Sequence, residues 1–187
     1  MLQLKINLLD EYTRCIQSRI PKSIVLKKIV ITDLNSIECN GIIIFHLPKK
    51  VSKTKTINRV EIKVNQNLLD AENPNIFLKT LLHEVGHCYL RYIFFRKDKN
   101  YLTEGIEDFI VDSCAITVIE RSKRFILSPK YSLPSQFLGA RNAENAKYRK
   151  LTFDLISQLN QVYSDLQEIG FSYDELINSA THETCLE

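Results

Sequence analysis

Five residues near the middle of the chain, His83-Glu84-Val85-Gly86-His87, constrain what it can fold into more than any other stretch. Two histidines four positions apart sit one turn apart on one face of an α-helix, so both imidazoles can point at the same metal ion. A glutamate directly after the first histidine can reach a water on that metal without ligating it, which is the logic of the H-E-x-x-H helix. The flanking residues supply the helix. Phe77, Leu78, Leu81, Leu82, Val85 and Leu90 recur with a helical period, and Asn73-Pro74 breaks the chain just before them. The helix is therefore expected over about residues 75–95. Gly86 costs roughly 1 kcal/mol relative to alanine inside a helix. Its presence points to something that approaches the backbone closely there.

A catalytic zinc site takes three protein ligands and leaves one position open for water. No third histidine follows His87 at short spacing, but Glu104, Glu107 and Asp108 do. They fall on what reads as the next helix, over about 103–121, with Thr103 as its N-cap and Ile106, Phe109, Ile110, Cys114, Val118 and Ile119 as its apolar stripe.

With Thr103-Glu104-Gly105 and Glu104 four residues before Asp108, the stretch 58–120 resembles the gluzincins. These are the thermolysin-like and aminopeptidase-like zinc metallopeptidases, whose second helix carries a glutamate ligand, often within N-E-G or N-E-x-x-x-D. Thr103 stands where they have asparagine, and the gap from His87 to Glu104 is slightly short for them. The resemblance implies His83, His87 and Glu104 as zinc ligands, with Asp108 behind them hydrogen-bonding and orienting His83. Glu107 is the alternative third ligand, at the longer spacing common in thermolysin-like members. Glu104 is preferred because Gly105 and Asp108 accompany it, whereas the residue four after Glu107 is Val111. Glu84 is the expected general base. The implied activity is a zinc-dependent peptidase, an endopeptidase, acting on a protein or peptide in extended conformation.

The chain of 187 residues suits a single domain, 1–187, with an ordinary hydrophobic share of 44% and charged share of 25%. Residues 2–19 read as an amphipathic helix ended by Pro21. Residues 24–32 and 42–47 read as strands, with Asn40-Gly41 as a turn between them and a basic loop at 49–55. Residues 59–65 alternate cleanly, with Val60, Ile62 and Val64 on one face and Arg59, Glu61 and Lys63 on the other. That alternation reads either as an edge strand along which an extended substrate could pair, or as an interior strand or plain hairpin member. After the site helices come a long irregular connection at 122–141, a long helix over 142–169 ended by Gly170, and a short helix at 173–179. The expected fold is α+β and zincin-like: a small N-terminal β-sheet, an active-site helix, then a mostly helical C-terminal part.

Several classes are set aside on composition. A net charge of +3 is too small to argue for nucleic acid or a membrane surface. Five cysteines, Cys15, Cys39, Cys88, Cys114 and Cys185, include no C-x-x-C pair, so they read as free thiols of a reducing compartment rather than a zinc module. No signal peptide or apolar run of membrane-spanning length is present, which suggests a cytoplasmic protein and leaves signal-independent secretion open. His46 reads as a strand-end histidine, and Arg121, Lys123 and Arg124 as a basic helix end.

A peptidase also needs a donor for the oxyanion. Tyr101, Tyr131, Tyr148, Tyr163, Tyr173 and His182 are the candidates, and the sequence does not choose among them. Two other classes stay open. One is a zinc-binding regulatory or interaction protein of the same fold, with a dedicated partner or no proteolysis. The other is an interaction domain with an accidental motif. A structural zinc has no use for a base, so Glu84 favours the enzyme.

Overall fold

The computed structural model describes residues 7–50, 56–69, 73–91, 104–120 and 143–183, with side chains given from 107 in the fourth of these segments and over 150–178 in the fifth. Helix α1 (Leu8–Arg19) starts where the Asn7 side chain accepts the Asp10 N–H at 2.8 Å. Its apolar stripe, Leu8, Leu9, Tyr12 and Ile16, is buried. Strands β1 (Ile24–Thr32), β2 (Gly41–Phe45), β3 (Lys49–Lys50) and β4 (Thr56–Asn65) follow, and then the site helices α2 (Pro74–Tyr89) and α3 (Glu104–Ile119). The last two helices are α4 (Ala143–Ile169) and α5 (Tyr173–Glu183). The described residues thus form an α+β fold, a small four-stranded sheet and five helices. Lys49 and Lys50, expected in a loop, instead pair with Ile57 and Thr56. The long connection at 122–141 lies outside the described residues. No described helix is long and apolar enough to cross a membrane.

The strand order corrects one expectation. β4 is not an edge strand: it runs parallel to β1 on one side and antiparallel to β2 on the other. Its alternation records one face packed against helices and one face half-open, and a central strand has that pattern as readily as an edge strand. Val60, Ile62 and Val64 do point into the core. The edge beside the site helix is β2, whose four consecutive apolar residues concealed it. Asn65 N–H donates to Asn40 O at 2.8 Å and His46 N–H to Arg59 O at 3.0 Å, bracketing the β2–β4 ladder. Even-numbered residues of β2 thus spend their backbone groups on β4, and Gly41, Ile43 and Phe45 turn theirs outward. Among the described residues no further strand lies on that side.

The core forms between the inner face of the sheet and the helices. Ile24, Leu26, Ile29 and Ile31 of β1 meet the buried stripe of α1, while Phe77, Leu81, Leu82 and Val85 of α2 pack with Phe109, Ile110 and Cys114 of α3 and Leu155, Leu159 and Val162 of α4. Gly170 ends α4, and its carbonyl accepts the Tyr12 hydroxyl at 2.6 Å. Arg19 of α1 reaches Asp165 of α4 with two nitrogens, at 2.5 and 2.8 Å.

Candidate metal centre

Helix α2 brings the two histidines together as the motif requires. His83 Nε2 and His87 Nε2 are 3.0 Å apart. His87 Nε2 also lies 3.2 Å from Asp108 Oδ1 on α3. Two ligand atoms about 2.0–2.1 Å from a tetrahedral zinc stand roughly 3.3 Å apart, so these separations fit a shared ion. His83, His87 and Asp108 form a group that can hold a metal, with one donor atom from each and all within 4.8 Å of one another.

The outer nitrogens of both rings meet carboxylates. His87 Nδ1 is 2.9 Å from Glu107 Oε1, and His83 Nδ1 is 3.5 Å from Asp112 Oδ1. The same Asp112 oxygen takes the Lys79 ammonium at 2.9 Å. Carboxylates on Nδ1 hold the ring orientation and leave Nε2 to face forward. In the protein without metal, burial would lower the His87 pKa. The hydrogen bonds to Asp108 and Glu107 outweigh it and hold the ring up to about 9.

The expected glutamate ligand is therefore not what the geometry displays. Glu104 lies one turn before Asp108 at the start of α3, and its side chain is outside the described residues. Glu107 stands behind His87, not beside both inner nitrogens. Asp108, expected behind His83, faces the inner nitrogens instead, and the place behind His83 is taken by Asp112. Among the described side chains the acids four residues apart that meet the two histidines are Asp108, at the inner nitrogens, and Asp112, behind His83. Asp112 and Lys79 were missed from the sequence. Their only signal is that each lies four residues from another site residue, Asp112 after Asp108 and Lys79 before His83.

Glu84 is buried, with 5% of its surface exposed. Its carboxyl is pushed above the usual carboxylate range by burial, against the pull of His83 and His87; Asp108 pushes it further up, and a hydrogen bond from Ile43 N–H pulls it down. The Glu84 carboxyl thus lies between the histidines and the outward backbone of β2. Gly41 makes that approach possible. A Cβ at position 41 would come within 2.7 Å of Thr80 Cγ2 and 2.9 Å of Glu84 Oε1. Read from the sequence as part of a turn, Gly41 in fact opens β2, and its role is this close contact. Gly86 answers the question raised by its helical cost. A Cβ there would come within 2.6 Å of Val111 Cγ1, so the missing side chain lets α3 lie against α2.

No described cysteine belongs to the candidate metal group. Cys88 and Cys114 are buried free thiols. Burial drives both pKa values up, Cys88 to about 12, so neither offers a thiolate. Of the oxyanion candidates, Tyr163 is buried in the core. Tyr173 sits on α5, which packs on α1 and β1, across the sheet from β2. Tyr101 and Tyr131, the side chains of Tyr148 and His182, and the cluster Arg121, Lys123 and Arg124 lie outside the described residues. His46 directly follows β2, as a strand-end histidine should.

No protein family, curated protein or solved structure matches the chain.

Proposed function

We propose that the chain is a zinc-dependent peptidase of zincin-like fold, with His83, His87 and Asp108 as its metal ligands and Glu84 as its general base. One observation carries the reading: a carboxyl that ligates nothing is buried between the three candidate ligands and an edge strand. A site that held metal for structure alone would gain nothing from a buried acid there. The donors, two imidazoles and a carboxylate, suit zinc and leave a fourth position for water. A zinc ion bound there would supply an acidified water and a Lewis acid for the scissile carbonyl.

The chain's own residues then divide the work. Glu84 takes the proton of the attacking water and delivers it to the leaving amine nitrogen. A carboxyl held above its usual range is closer to neutral pH, which suits a group that must both accept and release a proton. Glu107 and Asp112 keep the two rings aimed, and Lys79 holds Asp112 in place. An extended substrate would lie along β2, in place of the expected β4, because β2 is the strand beside Glu84 and no further strand is described on its outer side.

The test joins metal content to cleavage. Purified protein supplemented with zinc should hold about one equivalent, and should release it as pH falls because the ligating histidines must be neutral. It should also cut an unfolded protein. Well under half an equivalent would remove the metal reading. Full zinc without cleavage would favour a zinc-binding protein that serves a dedicated partner.

A further inference from the structure

Four residues share one stripe along and just beyond α2, each four positions after the last: Lys79, His83, His87 and Arg91. The two histidines face the candidate metal position, and a cation lies four positions beyond them at each end. The two cations are held differently. Lys79 is committed to Asp112 at 2.9 Å. Arg91 lies where the helix widens at Leu90 and Arg91, and its guanidinium carbon sits 4.5 Å from the centroid of the Phe45 ring. Phe45 ends β2, and its side chain joins the core on the helix-facing side. Arg91 thus stands one turn beyond His87, beside the end of the edge strand.

A guanidinium stacked on a ring uses its face and keeps its N–H groups in the plane, in a fork that matches a carboxylate. No carboxylate engages that fork among the described residues. Arg91 is exposed. A surface cation at a helix end needs no ring to suit the helix dipole. Here the ring holds the charge at the end of β2, where a second charged group could meet it.

We infer that Arg91 binds a substrate carboxylate, so that the chain selects extended peptides with an Asp or Glu side chain on one flank of the bond it cuts. This rests on the peptidase reading for the cut, but not for the binding. The selection is one-sided because Lys79, at the opposite end, is already paired. A charge-assisted bidentate contact at an exposed position should favour the acidic peptide by about two- to five-fold over its amide counterpart.

The probe is a set of fluorescein-labelled ten-residue peptide pools, each with Glu, Gln or Lys fixed at one position and the rest randomised. Binding is read by anisotropy on zinc-loaded Glu84→Gln protein, which cannot turn the peptides over. One position should prefer Glu over Gln. Arg91→Ala should abolish that preference, and Arg91→Lys, which keeps the charge but not the fork, should weaken it. Arg91→Glu should transfer it to Lys, with zinc content unchanged in all three variants. Absence of a Glu preference at every position, or one that survives Arg91→Ala, overturns the inference. The same pools with wild-type protein separate the two claims. Cleavage without acid preference refutes the Arg91 role alone. Acid-selective binding without cleavage refutes the peptidase reading alone.

Discussion

The two helices that meet at the metal stripe carry their chemistry in opposite ways. On α2 the polar residues of the site lie along one line, Lys79, His83 and His87, while Phe77, Leu81, Leu82, Val85 and Cys88 are buried elsewhere on the helix. On α3, Phe109, Ile110, Val111, Asp112, Ser113, Cys114 and Ala115 are all buried, so no exposed face marks which side is which. An amphipathic helix announces its own rotation. A helix buried all round takes its rotation from its neighbours. For α3 the neighbour is Gly86, whose missing side chain admits Val111. Once Val111 faces α2, the residues four and three before it and one after it, Glu107, Asp108 and Asp112, face the histidines as well.

The largest effect that could break this contrast lies on α2. Glu84→Gln should keep its zinc and lose about 10²–10⁴-fold in kcat, the range of a general base. Cleavage at the wild-type rate would mean the chemistry is not confined to that helix as described. The next effect lies on α3. Asp108→Ala should cost more zinc affinity than the roughly 10–100-fold expected for a residue behind a ligand. A competition titration with a chromophoric chelator reads it directly. A larger loss for Glu104→Ala or Glu107→Ala would return the third ligand to one of the glutamates expected from the sequence.

Glu107→Gln and Asp112→Asn should each fall within that 10–100-fold range, since they orient rings rather than bind the ion. Lys79→Met should cost less than either, because the Lys79 side chain is 37% exposed and its pair is partly screened by solvent. The smallest effect tests the contact that sets the rotation. Gly86→Ala should destabilise the fold by about 1–3 kcal/mol through overpacking against Val111. Urea unfolding measures it, and adding Val111→Ala should restore part of the loss. A Gly86→Ala protein as stable as wild type would mean that α3 does not take its position from this glycine.

The same contrast accounts for what could be read in advance. His83, Glu84 and His87 follow from one helix and one spacing, and they converge as that spacing requires. The elements themselves were legible too: β1, β2, β4 and α4 lie within a few residues of where hydrophobic period, proline and glycine put them, as do the end of α1 and the start of α2, while residues 2–6 and 92–95 of the two expected helices lie outside the described residues. What was not legible was which turn of α3 meets the histidines: its expected stripe, Phe109, Ile110, Cys114 and Val118, is buried as read, but acids four residues apart occur both at Glu104 and Asp108 and at Asp108 and Asp112. Nor was the order of the strands. Alternation in β4 reports which faces differ and says nothing about neighbours, while the apolar run Ile42-Ile43-Ile44-Phe45 reads as an interior strand and lies at the edge.

The contacts that tie α1 to α4 have a consequence for how the molecule comes into being. Tyr12 meets Gly170 and Arg19 meets Asp165, partners separated by 158 and 146 positions in the chain. Every candidate ligand and the residues behind them lie between Lys79 and Asp112, so they leave the ribosome well before α4 does. The first helix packs on β1 early, but it lacks its contacts with α4 until the chain has been made as far as Gly170. Contacts so distant close slowly, because the loop entropy is lost before the contact is gained. A nascent chain halted between Asp112 and Gly170 would hold all of the metal donors without the helix that closes over their supporting core. Competence to hold the ion should therefore arise late in synthesis, as α4 docks, and not when the last donor emerges.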